Sequence, residues 1–188
     1  APRSFYYLVV WSASAHVAWE EMNVNDCREA SLNSTDAGRA RQIVTDWLAA
    51  FEKALNLRDP ALIGNLFHQD CHWRDILAFT WNLTPVEGRE NVAARLVAEQ
   101  ERVAAHGFHL PPGHRQPQRV TRLEIDSIEA IIGFKTSFGR GAGVIRLSEA
   151  PGGEMKAWLL STTLESLNGY EEKIGANRPT GSAYSRNF

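Results

Sequence analysis

The carboxyl-terminal half of the chain breaks into four strand-length segments rich in branched and aromatic residues, and this succession restricts the fold more than any other feature. Arg119–Asp126, Ile128–Phe138, Gly143–Ser148 and Met155–Leu167 are separated by polar or glycine-containing turns such as Pro151-Gly152-Gly153. Successive strands joined by short turns pair antiparallel. Helix-period segments come before them. Ile43, Val44, Trp47, Leu48, Phe51 and Leu55 recur at spacings of three and four, and Ser34, Thr35 and Asp36 offer capping oxygens at the start. Asp59-Pro60 supplies a cap and a first-turn proline for a short second helix carrying Leu62, Ile63, Leu66 and Phe67. Gly88-Arg89-Glu90 opens a third, with Val92, Ala93, Leu96, Val97 and Val103 on one face and Gly107 as its stop. Between the second and third helices, a turn at His68-Gln69-Asp70 leads into Cys71–Trp81, which reads as a strand with a bend.

This order predicts an α+β domain: a cone-shaped, curved antiparallel sheet covered by three helices and enclosing a pocket. Residues 1–34 are expected to form an arm, 35–168 the domain and 169–188 an extended tail. A length of 188 residues suits one such domain. With 20 Lys and Arg against 22 Asp and Glu, the chain has no bulk field for nucleic acid or anionic lipid, so neither is expected as a partner. The apolar run Phe5–Trp19 is broken by Ser and His and is shorter than the roughly 20 residues of a membrane-spanning helix. Cys27 and Cys71 stand far apart without a CxxC, so a disulfide scaffold is excluded and a cytoplasmic location is expected.

Asp75 is the first candidate for chemistry. Alternation places it on one strand face with Cys71 and Trp73, and a carboxylate against apolar walls is suited to moving protons. The other reading is a structural carboxylate that caps a backbone amide or pairs with an arginine. His68 is a second candidate, with surface placement as its alternative; His68, His72, Trp158 and Thr162 could each stabilise an oxyanion. Trp47, Phe51, Trp73, Phe79, Trp81, Phe134 and Trp158 fall at positions expected to face the interior, as core or as the wall of an apolar cavity. The histidines have loose spacings, and no metal is expected. Gly139, Gly141 and Gly143 are spaced wrongly for a dinucleotide turn and precede a strand, so they read as a bend or bulge and no cofactor is expected.

Trp47-Leu48-Ala49-Ala50-Phe51, Leu66-Phe67-His68-Gln69-Asp70, Trp73-Arg74-Asp75 and Gly88-Arg89-Glu90 together resemble the nuclear transport factor 2-like superfamily, which includes ketosteroid isomerase, scytalone dehydratase, limonene epoxide hydrolase and the SnoaL-like cyclases. Within it, Trp73 to Trp81, Gly139 to Gly143, Lys156-Ala157-Trp158 and Gly169-Tyr170-Glu171-Glu172 look like the amino-terminal domain of flavin-dependent monooxygenases. The resemblance covers about residues 40 to 180. It implies a cofactor-independent isomerase, cyclase, dehydratase or hydratase with Asp75 as proton carrier. Trp47, Phe51, Trp73, Phe79, Trp81, Phe134, Trp158 and Thr162 would hold a hydrophobic polyketide or terpenoid substrate. Phe51 stands where ketosteroid isomerase has its oxyanion-binding tyrosine, so that interaction is not carried over. The alternative is a non-catalytic ligand-binding or oligomerisation module, and a homodimer is expected in either case.

Overall fold

The computed structural model describes residues 36–122, 124–170, 172, 173 and 178. The chain divides into units 1–39 and 40–188, and the account below concerns the second. The arm expected over 1–34 and most of the tail expected over 169–188 lie outside the described residues.

Within this unit the first helix, α1, covers 40–57 and buries Val44, Trp47, Leu48, Phe51 and Leu55, the stripe its spacing predicts. Arg58, in the left-handed region at φ 51°, ends it, and Asp59 caps α2 (Pro60–Asn65) through the amides of Ala61 and Leu62. The second helix is thus shorter than expected. Phe67 opens β1 (Phe67–Ile76) instead, and His68-Gln69-Asp70 lie within that strand rather than in a turn. The bend expected before Trp81 is a reversal: residues 77–82 lead into β2 (Leu83–Glu87), which pairs back on β1 with Asp75 opposite Thr84.

After α3 (Arg89–Val103) come β3 (His106–His109), β4 (Gln118–Arg122), β5 (Ile125–Lys135), β6 (Gly139–Glu149) and β7 (Met155–Leu167). The strand order is β2-β1-β7-β6-β5-β3, with β4 also on β5. The meander is antiparallel as expected. The sheet as a whole is mixed, because β7 returns to lie parallel to β1, with Asp75 beside Thr162. Among the described residues the architecture is therefore α+β, a curved open sheet of seven strands with three helices. Register assigns the faces: Trp73, Leu160, Ile145 and Ala130 share an inward row, while Ser161, Val144 and Ile131 share an outward one. At the foot of β6 the backbones come very close. A Cβ on Gly139 would lie 1.8 Å from the Ser166 carbonyl, and one on Gly141 would lie 2.3 Å from the Phe134 ring. The register shifts between Arg140 and Gly141, so the glycine-rich run forms an irregularity in the sheet.

Candidate functional site

Asp75 ends the inward row of β1 and is completely buried. Its Oδ1 accepts from Thr162 Oγ1 at 2.7 Å and from Phe79 N at 3.1 Å. Its Oδ2 accepts from Phe79 N at 3.0 Å, Thr80 N at 2.7 Å and Thr80 Oγ1 at 2.8 Å. The surrounding groups extend this cage. Trp73 Nε1 donates to Thr162 Oγ1 at 3.0 Å, and Thr80 Oγ1 lies 2.9 Å from Thr84 Oγ1. A carboxylate with both oxygens already facing donors acts as a capping group for the 77–82 reversal. This is the structural alternative left open by the sequence.

The interior beside Asp75 is occupied by rings. Trp47 stacks on Phe51 at 4.9 Å between centroids, Phe51 meets Phe108 at 5.2 Å, and Phe108 stacks on Phe134 at 5.1 Å. Phe134 reaches Phe79 at 5.9 Å, and Phe79 sets its edge to Trp73 at 5.4 Å. Centroid separations of about 4.5–7 Å are those of packed aromatic pairs, so this series fills the space between α1 and β1. Trp47, Phe51, Trp73, Phe79, Phe134 and Thr162 are brought together inside the cone.

Three expected members of the site fall elsewhere. Trp81 is 40% exposed, its ring against Phe138 at the surface, because the reversal turns it outward at φ 58°. Trp158 lies half-buried at an irregularity of β7, with the Arg146 guanidinium 5.6 Å above its ring, on the outward side where Arg146 also pairs with Glu129. His68 sits at the opposite end of β1 from Asp75, bonded to Ser148 through Oγ at 2.9 Å. Seven residues of strand put these two groups roughly 20 Å apart, too far to act on one small substrate. His72 is exposed, 3.7 Å from Glu87. Thr80 and Thr84 complete the cage and were not singled out from the sequence, although a threonine shortly after an aspartate is a turn signal.

Elsewhere a cavity of about 550 Å³ opens between α1 and β3, walled by Thr45, Ala49, Glu52, Lys53 and Phe108. Glu52 there receives the amides of Gly107 and Phe108 at 3.0 and 2.9 Å, which covers part of the β3 edge. Cys71, buried in β1, has its thiol pushed up to about 11, chiefly by burial, and is no nucleophile at neutral pH.

No family model and no curated protein matches the sequence. Solved structures do match. An uncharacterised protein of cystatin-like fold from Caulobacter vibrioides superposes with a TM-score of 0.52 at 12% identity, over 70% of this chain and 93% of that one. The fold is cystatin-like. A nuclear transport factor 2-like protein from Salmonella enterica is similar at a TM-score of 0.49 and 12% identity, over 76% of this chain and 99% of that one. A proposed dehydratase of the nuclear transport factor 2-like family from Streptomyces avermitilis is similar at 0.47 and 12% identity, over 66% and 94%. A cystatin-like cone is a scaffold for catalysis and for binding alike, so function has to be argued from the residues within it.

Proposed function

We propose that this chain is a non-catalytic assembly module that pairs with a second copy of itself through the outward face of β5, β6 and β7. The observation that carries the non-catalytic half is the closed cage on Asp75, since a proton-transferring carboxylate needs a lone pair turned toward its substrate. The outward face supports the assembly half. Its rows are Ile131, Val144 and Ser161; Gly133, Ala142 and Thr163; and Glu129, Arg146 and Leu159. The first two are small or apolar, the Arg146–Glu129 pair of the third is internally matched at 2.7 Å, and a fourth row of Lys135, Arg140 and Ser166 puts charge at one end of the face. The first two rows lose little on leaving water.

Sedimentation equilibrium tests this reading. A dimer is expected for the native sequence, and Val144→Arg should give a monomer with an unchanged far-UV spectrum. A monomer at every concentration overturns it. One observation favours a second reading, acid–base catalysis on an apolar molecule: Asp75 is fully buried beside Trp73 and Phe79. That reading requires the Phe79 and Thr80 amides to leave the carboxylate first. Turnover of a polyketide or terpenoid substrate that disappears in Asp75→Asn would establish it.

A further inference from the structure

We infer, on the basis of the assembly reading above, that His109 makes the pairing of two copies depend on pH: the copies stay together while its ring is neutral and part once the ring takes up a second proton. The ring reaches the outward face from β3. His109 pairs with Gly133 in register, and a Cβ on Gly133 would lie 2.9 Å from His109 Cε1 and 3.0 Å from its Nε2. Only a residue without a side chain lets a ring lie so close to β5. Gly133 is buried beneath it, although it belongs to the outward row with Ala142 and Thr163, and His109 itself is exposed. Phe108, the next residue of β3, turns the other way and packs on Phe51 and Phe134 inside the cone. A copy laid over the row of Gly133 therefore has to cover the imidazole as well.

Contacts of the ring fix where its protons sit. Nδ1 lies 2.8 Å from the Gly107 carbonyl, which can only accept, so Nδ1 carries the proton of the neutral ring. The second proton binds at Nε2, on the side of the ring that lies against Gly133. Histidine is the side chain that changes charge between about pH 5 and 8. Taking water from a cation costs far more than taking it from a neutral imidazole unless a carboxylate meets the charge. The acids near His109 are already engaged. On β5, Glu129 pairs with Arg146 of β6 at 2.7 Å, and the next outward residue after Gly133 is Lys135, itself opposite Arg140. On β3, His106 pairs with Lys135. From α1, Glu52 holds the amides of Gly107 and Phe108, with Lys53 in the same wall. On β7, Glu165 stands at the register shift beside Arg140. His72 differs: it too lies on the outward face, opposite Leu159, but Glu87 is 3.7 Å from its Nδ1 to share a charge. Each copy brings one His109 to a two-fold interface, so the pair holds fewer protons than two separate chains and acid favours separation.

Sedimentation equilibrium at pH 7.5 and pH 5.5 tests the inference. The dissociation constant is expected to be about tenfold to a hundredfold larger at pH 5.5, because two ordinary histidines each give up a proton on pairing. His109→Gln keeps a polar side chain that stays neutral, and should give one constant at both pH values. Its dimer at pH 5.5 would also show that acid leaves the fold intact. His72→Gln should keep the native difference. Equal or tighter pairing of the native chain at pH 5.5, an unaltered difference in His109→Gln, or loss of the difference in His72→Gln overturns the inference and leaves the assembly reading standing. A native chain that is monomeric at pH 7.5 as well overturns both.

Discussion

Five donor contacts converge on the two oxygens of Asp75, and this gives the residue a sign in stability measurements. In Asp75→Asn, the amide nitrogen would face donors where an acceptor stood. A loss of about 3 kcal/mol is expected, since hydrogen bonds to a buried charged group contribute about 1.5–3 kcal/mol each and only some would fail. The urea midpoint measures the loss, and faster exchange of the Phe79 and Thr80 amides locates it. A catalytic carboxylate held unsatisfied in an apolar hollow would instead gain stability on neutralisation. Cys71 provides a test at alkaline pH. Burial raises its thiol to about 11 in the folded chain, so between the unfolded value near 9 and 11 the native state keeps a proton that the unfolded state has lost. Stability is therefore complete below about pH 9 and declines as pH rises toward 11, by about 2–3 kcal/mol from this one group. In a chain with Cys27→Ser, a thiol reagent at pH 8 should react with Cys71 only as fast as the fold opens. The position of Asp75 on an inward face was legible in the alternation of β1. Its cage was not, because Thr162 arrives from a strand 87 residues later and only the parallel pairing brings the two together.

Elements with a long period were readable, and elements fixed by tertiary context were not. The stripes of α1 and α3 needed only their own spacing. Leu66 and Phe67 fit a helix or a strand equally well, and pairing of Phe67 with Ala157 decided for the strand. β2 was hidden by Pro85, a residue that argues against a strand unless the strand lies at an edge, as this one does. β3 has only four residues and shows too little alternation to read. β6 makes the sharpest prediction at this scale, because its glycines serve close approach rather than turning. Gly141→Ala would meet the Phe134 ring, whereas Gly139→Ala would meet the Ser166 backbone. The first should cost about 1–3 kcal/mol, the usual range for overpacking, and recover in part when Phe134→Leu withdraws the ring. The second should show no recovery with that partner. Urea unfolding of the single and double variants separates the cases, and equal behaviour of the two glycines would contradict the packing described.

At the scale of the whole molecule, the two faces of the sheet answer to different solvents. The inward rows end in rings and the Asp75 cage, the outward rows in Ile131, Val144 and the Arg146–Glu129 pair, and no side chain belongs to both. Sequence alternation announced that division and could not say what the outward face meets, because a half-buried sheet face has the same pattern against water, a helix or a second sheet. Mass action can tell. If two copies share the outward face, ligation of one by the other stabilises the folded state, and the melting temperature climbs with protein concentration. Val144→Arg should flatten that dependence while leaving the low-concentration value almost unmoved, because the isolated fold loses nothing inside the cone. Asp75→Asn should do the reverse, lowering the melting temperature at every concentration and keeping the slope, since distant sites without shared partners contribute independently. A slope that vanishes in Asp75→Asn would mean that the inner cage and the outward face form one unit, and the separation of faces on which the assembly reading rests would fail.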